Sequence, residues 1–389
     1  MRLEWLVIGG GIHGVHLAAR LLGEAKVDPE QIRIVDPSDH LLARWRSCTA
    51  TTGMTHLRST SVHHLDPDPH ALQQFAAKRK SRTVSNFVPP YRRPSLPLFD
   101  AHCRKVIKTY GLADLHTRGR VVSCGFRSGE GEVDLDGGQR LRARNLIFAI
   151  GSSETPNWPA WAPQSHPRVH HVFAPGFDGW PPGPSESVAV VGGGISAGQV
   201  ALRLLREGHH AHLVSQHPLR EHQFDSDPGW LGPKYMAGFS AERDIERRRR
   251  MIREARHRGS VPPDVRQALQ RAIESEAVSW HESEVKGVEV RQDRLQLDLA
   301  RETLQVDRLL LATGFAMERP GGPWVDDLIA EAQLPCAKCG YPIVDKELRW
   351  HPGLFVTGPL AELELGPASR NIAGARRAGD RIVTAAHST

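Results

Sequence analysis

A strand-like apolar segment, a glycine-rich turn and a helical segment follow one another twice in this chain. The first copy begins with the apolar run Leu3–Ile8. It continues into a G-x-G-x-x-G motif formed by Gly9, Gly11 and Gly14, and a helical stretch follows over residues 15–22. This order is typical of the βαβ unit that binds dinucleotides. Because glycines lack a Cβ, backbone N–H groups at the start of the helix can approach a pyrophosphate closely.

An acidic residue stands at the expected distance from this motif. A second apolar run, residues 32–35, ends at Asp36, which lies 22 positions after Gly14. A carboxylate in this place can accept hydrogen bonds from the ribose hydroxyls of an adenine dinucleotide. The N-terminal segment is therefore predicted to bind a dinucleotide.

The second copy of the pattern starts near the middle of the chain. The strand-like run Ser187–Val191 leads into Gly192 and Gly194, with Ala197 at the position of the third glycine, and a helix is predicted over residues 198–206. The chain is therefore predicted to contain two Rossmann-like dinucleotide-binding units in an α/β fold.

The second unit lacks the acidic residue. Its next apolar run, residues 211–214, ends in Ser215, and Arg220 follows shortly downstream. A carboxylate would repel a 2′-phosphate, whereas an arginine can pair with one, so this unit is predicted to prefer NADPH to NADH. The alternative is an arginine that only caps a loop.

Two dinucleotide units in one chain indicate a flavoprotein in which hydride passes from a nicotinamide to FAD. Two buried apolar runs end in a small residue followed by glycine, one at Gly151 and one at Gly314. We interpret them as crossings, the places where the chain passes between an FAD domain and a domain inserted into it. The predicted division is an FAD domain over residues 1–184, an NAD(P)H domain over 185–308 and the rest of the FAD domain over 309–389. Alternating apolar residues between 121 and 141 predict a small β-meander in the first domain.

Composition excludes several other classes of protein. The chain has 389 residues, and its five cysteines, an odd number, disfavour a secreted disulfide framework. No apolar run reaches the length of about 20 residues that a membrane helix needs. We therefore expect a cytoplasmic protein without a signal peptide or a membrane partner.

A basic run is the one feature that could suggest nucleic acid. The net charge is +6, and the excess is concentrated at residues 246–253. A solvated basic face on a helix is the simpler interpretation, because no nucleic-acid-binding signature accompanies the run. No nucleic-acid partner is predicted.

These motifs resemble the class B flavin monooxygenases, and most nearly the lysine and ornithine N-monooxygenases. The run A-T-G-F at residues 312–315 is similar to a motif of that superfamily, and Trp45 is similar to a tryptophan of its flavin side. Gly366 lies where the family has a flavin-contacting turn, and Gly358 is also placed among the FAD contacts. The resemblance implies FAD and NADPH as cofactors, O2 as co-substrate and oxygen transfer to a small nucleophile such as an amine.

The chain also departs from that family. Residues 224–234 do not align with the family's substrate and NADPH loops, and the F-x-G-x-x-x-H fingerprint of the Baeyer–Villiger enzymes is absent. Neither the substrate nor the oligomeric state can be predicted from the sequence.

A C-x-x-C pair provides the main alternative. Cys336 and Cys339 suit an NADPH-dependent disulfide or electron-carrier reductase, but they come after the NAD(P)H domain, unlike the pairs of the known reductase layouts. A zinc site would need a second pair at ligand spacing. We therefore predict incidental loop cysteines and no metal, with thiol redox chemistry as the alternative. A flavin-binding protein without catalysis is a third hypothesis.

Four residues are weak candidates for catalysis. His56, Arg58 and His63 follow the first unit, where the chain usually passes the flavin ring, although core packing or contact with the flavin phosphates is the simpler role. Asn371 is predicted either to cap the last helix or to point at the flavin.

Overall fold

The computed structural model describes residues 2–79, 85–180, 183–291 and 293–387, and it contains two α/β units. The strands are β1 Leu3–Ile8, β2 Ile32–Asp36, β3 Phe87–Val88, β4 Arg93–Pro94, β5 His116–Arg118, β6 Val121–Arg127, β7 Glu130–Leu135, β8 Arg140–Phe148, β9 Val169–His171, β10 Ser187–Val191, β11 His210–Ser215, β12 Arg220–Glu221, β13 Ser260–Val261, β14 Val278–Glu282, β15 Val285–Arg291, β16 Arg294–Leu299, β17 Thr303–Val306, β18 Arg308–Leu311, β19 Arg349–His351 and β20 Leu354–Val356.

Eleven α-helices of the described residues accompany these strands. They are α1 Ile12–Gly23, α2 Ala43–Thr52, α3 Ala71–Ala77, α4 Leu96–Thr109, α5 Ile195–Arg206, α6 Pro233–Ala241, α7 Ile245–Ala255, α8 Pro263–Glu274, α9 Pro323–Glu331, α10 Glu362–Leu365 and α11 Ile372–His387. Short 3-10 turns cover Pro29–Gln31, Pro228–Leu231, Gly358–Ala361 and Pro367–Arg370. None of these helices has the length and apolar character needed to cross a bilayer.

The first unit is built on an eight-stranded sheet. Its order is β19-β20-β8-β1-β2-β5, with β7 paired to β8 and β6 paired to β7. Strands β1, β2, β8, β20 and β5 are mutually parallel, and their apolar side chains are buried under α1, α4 and α11. The antiparallel strands β6, β7 and β8 confirm the predicted β-meander.

The second unit is built on a parallel five-stranded sheet of order β14-β11-β10-β18-β9. Helices α5 and α8 pack on one face, and the antiparallel strands β15, β16 and β17 pack on the other. Parallel strands covered on both faces are typical of dinucleotide-binding α/β proteins. The predicted fold class, with two Rossmann-like units, is confirmed.

The sheets do not follow the predicted boundaries at 184/185 and 308/309. Strand β9 and residues 309–311 of β18, which those boundaries assign to the FAD domain, pair with each other in the second sheet. The boundary at 308/309 in fact divides β18. Because β9 has only three residues, two of them histidines, it carries no clear strand pattern in the sequence. We therefore propose that the second unit extends from residue 169 to residue 311.

Arginine side chains make many of the polar contacts between the two units. Arg58 donates hydrogen bonds to the carbonyl oxygens of residues 222–224. Arg93 is buried and forms an ion pair with Asp264, with Nη2 and Oδ1 2.7 Å apart. From the other side, Arg203 of α5 donates to two carbonyl oxygens near the end of α2. Carbonyls and carboxylates are the acceptors that guanidinium groups pair with best.

The basic run lies on α7, whose N-terminus is capped by the Asp244 carboxylate. Two of its arginines face inward. Arg249 forms an ion pair with Glu362, and Arg248 forms one with Glu364 at 2.9 Å. The Arg249 and Glu362 side chains are only 5% and 1% exposed. The prediction of a solvated basic face is therefore wrong for these two side chains, which dock α7 onto α10.

This burial makes the stability of the protein sensitive to Glu362. Its carboxylate also accepts from Arg370 at 2.7 Å, so Glu362→Ala leaves two guanidinium groups without their counter-charge. Removing one partner of a buried ion pair costs about 3–5 kcal/mol. We expect urea denaturation to show a loss of this order. Arg250→Ala, on the exposed side of the same helix, is the control and should change stability by about 0.5 kcal/mol or less; equal effects of the two substitutions would contradict the prediction.

Candidate cofactor and active site

The first glycine turn joins β1 to α1 and leaves space for a ligand. Gly9 has φ +112°, and a Cβ there would lie 2.6 Å from the Ala149 carbonyl oxygen, so the turn itself requires this glycine. At Gly11 a Cβ would meet no atom within 4 Å. Gly11 is the N-cap of α1, and no side chain caps the first N–H groups of this helix. The turn therefore offers an open cradle with unpaired donors, which suits a pyrophosphate.

Asp36 lies beside this turn, at the end of β2. Its carboxylate accepts from the Gly10 N–H at 2.7 Å and from the Ser38 N–H at 2.9 Å. These bonds hold the partly exposed side chain at the edge of the cradle. Its role as a ribose contact remains a prediction, and the residues present fit the ADP half of FAD.

His13, the variable residue just before the last glycine of this motif, was not singled out by the sequence. Its Nδ1 is 2.8 Å from the Thr357 hydroxyl, while its buried Nε2 has no hydrogen-bond partner within the described residues. Burial lowers the pKa of His13 to about 4, against a smaller opposite effect of the backbone of Arg370 and Asn371. His13 is thus a neutral imidazole with one free nitrogen at the start of α1.

The second glycine turn repeats the packing of the first. Gly192 has φ +149°, and a Cβ there would lie 2.5 Å from the Ala312 carbonyl oxygen. Ala197, in place of the third glycine, is buried, and at Gly194 the nearest atom to a Cβ would be the Gly259 Cα, 3.7 Å away. In both units, the first glycine thus packs against the carbonyl group of an alanine that directly follows a strand, Ala149 after β8 and Ala312 after β18.

A histidine lies over the second turn. A Cβ on Gly193 would come 2.6 Å from the His217 ring, and the same ring fills the space beside Gly259. The His217 Nδ1 donates to the Pro218 carbonyl at 2.8 Å, which leaves Nε2 facing the glycines. The position of the His217 ring depends on the loop at Gly259, which packs against it. No local pattern in the sequence predicts this contact.

The two residues predicted to read the NADPH ribose are placed differently. Ser215 is buried, and its hydroxyl donates to the His217 carbonyl and accepts from the Trp280 indole, so its side chain is committed to the protein. Arg220 is exposed in β12. Within the described ranges its guanidinium has no ion-pair partner, so it is available for a phosphate.

The predicted flavin-side residues fall into two groups. Gly151 and Gly314 lie at the two crossings, and a Cβ at either would meet no atom within 4 Å, so both positions are open. Trp45 instead packs against Phe99 at the edge of the first core, with ring centroids 5.2 Å apart. Their contacts with FAD remain predictions.

The two C-terminal glycines lie close to other parts of the site. Gly358 has φ +62° and adjoins the His13 ring, which would be 3.8 Å from a Cβ there. Gly366 has φ +76°, and a Cβ there would be 3.0 Å from the Met236 sulfur. The turn over residues 358–371 therefore connects the first glycine turn to α6.

The structure separates the four weak catalytic candidates. Arg58 is used in the contact between the units, and Asn371 Nδ2 donates to the Asp225 carboxylate at 3.0 Å. His56 is tied to the Ser85 carbonyl, and burial lowers the pKa of His63 to about 4. Only Arg58 and Asn371 approach the same segment, residues 222–225, where the two units meet.

The C-x-x-C pair lies in a turn after α9, closed by the Ala337 N–H donating to the Tyr341 carbonyl. Cys336 and Cys339 are free and partly buried. Burial raises the pKa of Cys336, which disfavours the thiolate that redox chemistry requires. In the described part of the chain, no group of three or more His, Cys, Asp or Glu side chains is arranged to hold a metal ion.

Family comparison agrees with this site. Residues 69–381 match the family described as pyridine nucleotide-disulphide oxidoreductase. The chain belongs to this family. The match covers most of the chain and includes the second glycine turn, the crossing at Gly314 and the C-terminal turn. The family uses FAD and NAD(P)H, which confirms the prediction of an oxidoreductase with these cofactors.

Solved structures share the whole fold with this family member. An ornithine N-hydroxylase from Kutzneria sp. 744 has a TM-score of 0.76 and 17% identity, covering 100% of this chain and 99% of that one. A cadaverine monooxygenase from Erwinia amylovora, bound to FAD, has a TM-score of 0.75 and 14% identity, covering 100% of this chain and 95% of that one. A bacillithiol disulfide reductase from Bacillus cereus has a TM-score of 0.63 and 16% identity, covering 100% of this chain and 99% of that one. At these identities the likeness establishes the fold, and no curated protein sequence matches the chain.

The open cradle at Gly11 leads to a test of FAD binding. In Gly11→Ala the added Cβ meets no protein atom and φ is −78°, so the fold should persist, but the methyl group occupies the space of the predicted pyrophosphate. We expect an FAD affinity at least about tenfold lower, in line with the loss of one or two charge-assisted hydrogen bonds. Titration of the FAD-free protein with FAD, followed by flavin fluorescence, measures this.

Gly9→Ala is the matched control for that experiment. Its strained φ and the close Ala149 carbonyl predict a loss of folded protein rather than a selective loss of FAD. If Gly11→Ala binds FAD like the unchanged protein, the cradle does not hold the pyrophosphate.

Proposed function

We propose that this oxidoreductase is an NADPH-dependent flavin monooxygenase that transfers oxygen from O2 to a small nucleophilic substrate, such as an amine. When bound, FAD supplies the hydride acceptor and the chemistry that activates O2. The protein positions the two cofactors and excludes water, so no acid–base triad is needed for the reaction.

The proposal rests on which side chains make the contacts between the two glycine turns. The contacts there run through His13, Asn371, Asp225 and Arg256. Cys336 and Cys339 take no part in these contacts, and the pKa of Cys336 is raised. We therefore expect O2, rather than a disulfide formed by this pair, to accept the electrons of the flavin.

The comparison of folds is compatible with this choice. The ornithine N-hydroxylase and the cadaverine monooxygenase have TM-scores of 0.75–0.76, the bacillithiol disulfide reductase has 0.63 and a lysine monooxygenase from Nocardia farcinica has 0.60. The reductase remains the second candidate function, because its fold also covers the whole chain and because the family description names disulfide chemistry.

Each cofactor has its own set of residues in this proposal. Gly11, His13 and Asp36 hold FAD, with the unpaired Nε2 of His13 available to an oxygen atom of the cofactor. Gly194 and Arg220 hold NADPH, with its pyrophosphate on the start of α5 and its 2′-phosphate on the arginine.

The decisive measurement is the fate of electrons from NADPH. We expect the FAD-loaded protein to oxidise NADPH in air, and an amine substrate to raise the rate while hydroxylated product replaces free peroxide. The Cys336→Ser/Cys339→Ser double variant should keep at least about half of this activity. Amines, sulfides and disulfides are supplied separately, with product identified by mass spectrometry. Turnover of a disulfide without oxygen uptake, abolished in the double variant, would favour the reductase.

Coenzyme choice tests the role of Arg220. Arg220→Ala should raise the KM for NADPH roughly 10- to 100-fold, the effect of losing a charge-assisted hydrogen bond, and leave the KM for NADH within about twofold. Steady-state kinetics with both coenzymes measure the ratio, and Arg206→Ala on α5 is a control of the same charge. Equal kcat/KM for both coenzymes in the unchanged protein would contradict the predicted preference.

A further inference from the structure

A cavity between α6 and α11 is lined by side chains of both units. Its volume is about 270 Å³, and its walls are formed by Met236, Ser240, Leu365, Arg377, Asp380 and Arg381. The first two residues lie on α6 of the second unit, the leucine ends α10, and the three charged residues lie on α11 of the first unit. None of them belongs to a glycine turn. Small-molecule sites occur preferentially at junctions of this kind.

The lining of this cavity changes from apolar to polar toward the solvent. Leu365 is buried, and Met236 beside it is partly buried. Methionine is flexible and polarisable, so its thioether can adapt to the shape of a ligand. Ser240 and Asp380 are exposed and stand where the cavity opens. The cavity therefore suits a ligand that has an apolar part and a polar end.

Two of the three charged side chains of the cavity already have partners. Arg381 donates to the Glu364 carboxylate at 2.8 Å. The Asp380 carboxylate accepts from Arg20 of α1. These contacts balance the charges of Arg381 and Asp380 and leave Arg377 without a counter-charge of its own.

The guanidinium group of Arg377 lacks acceptors. It forms no hydrogen bond and no ion pair in the part of the chain that the structure describes, and its Nη1 atom is buried. Burial lowers the pKa of Arg377, an effect that Arg381 reinforces and Asp380 opposes. A guanidinium has five N–H donors, and it pairs best with an oxyanion. An anion in the cavity would supply the missing acceptor and reduce the repulsion from Arg381.

We propose that the cavity between α6 and α11 binds a small amphipathic anion, with its oxyanion group on Arg377 and its apolar part on Met236 and Leu365. The cavity is slightly smaller than the range of about 300–1,000 Å³ that is typical of drug-sized ligands, so we expect a ligand of the size of hexanoate or benzoate. Because the walls belong to both units, an occupant favours one arrangement of the units over others. The site is regulatory and does not depend on the proposed monooxygenase reaction.

A binding experiment tests the chemistry of the ligand. FAD-loaded protein is saturated with NADP⁺, so that both cofactor turns are filled, and is then titrated with hexanoate in a calorimeter. Hexan-1-ol and inorganic phosphate are titrated separately, because the alcohol lacks the charge and phosphate lacks the apolar part. We expect each of them to bind at least about tenfold more weakly than hexanoate. Benzoate serves as a second amphipathic anion.

Substitutions locate the site. Arg377→Gln should weaken hexanoate binding about 10- to 100-fold, the effect of losing a charge-assisted pair, and Arg377→Lys by less. Ser240→Trp fills the exposed end of the cavity without a change of charge and should prevent binding. Arg250→Gln, exposed on α7, is the matched control and should bind like the unchanged protein. FAD content and melting temperature verify that each variant folds.

Asp380→Asn gives a result of the opposite sign. It removes the carboxylate that opposes the charge of Arg377, while Arg20 keeps its ion pair with Glu24 at 2.6 Å. Hexanoate binding should become severalfold tighter in this variant. If Arg377 has only a structural role, Asp380→Asn does not strengthen binding.

The regulatory role is tested through the coenzyme. The Kd for NADP⁺ is measured with and without saturating hexanoate, and linkage requires that NADP⁺ change the Kd for hexanoate by the same factor. We expect a change of at least about threefold in the unchanged protein and none in Arg377→Gln. Equal Kd values with and without hexanoate would overturn the regulatory role.

The remaining outcomes are also distinguishable. Hexanoate binding that persists in both Arg377→Gln and Ser240→Trp, or equal affinities for hexanoate and hexan-1-ol, overturns the inference. Loss of hexanoate binding on saturation with NADP⁺ assigns the anion to the coenzyme turn and also overturns it. Arg377-dependent binding in a protein that hydroxylates no amine leaves this site standing and contradicts the proposed function alone.

Discussion

Ion pairs and hydrogen bonds made by arginines hold the two dinucleotide units in one arrangement. Arg249 reaches the buried Glu362, Arg93 reaches Asp264, and Arg58 binds three consecutive carbonyl oxygens. These polar contacts accompany an apolar cluster in which Trp230, Phe239 and Ile252 of the second unit pack with Tyr341 and Leu363 of the first. These contacts fix the position of one glycine turn relative to the other.

The same region also brings several arginines close together, since Arg370 and Arg258 both lower the pKa of Arg256. Most interface arginines find a carboxylate or a carbonyl, whereas among the described residues Arg256 has only a 3.8 Å ion pair with Asp225 and Arg258 donates to the Met317 sulfur. The segment around Asp225, which aligns with no familiar substrate loop, contacts both Asn371 and Arg256.

The two glycine turns share the same packing contact. In each unit the first glycine adopts a positive φ and packs against the carbonyl oxygen of an alanine, Ala149 or Ala312, at the end of a neighbouring strand. These alanines belong to the crossings that the sequence indicated next to Gly151 and Gly314. Each glycine motif is therefore in direct steric contact with the residue just before a crossing glycine region, Gly9 with Ala149 and Gly192 with Ala312.

The sequence by itself determined the two units, their order and their cofactor class, because strand, glycine turn and helix are encoded by neighbouring residues. Spacing alone predicts Gly9, Gly11, Gly14 and Asp36 as cofactor contacts. Tertiary structure decided what long-range contacts control: the membership of β9 and β18 in the second sheet, the burial of Arg249 against Glu362, and the commitment of Ser215 to internal hydrogen bonds. Arg256 and Asn371 are more than a hundred positions apart in the chain, and only packing through Asp225 brings them together. No local pattern of apolar and polar residues carries that information.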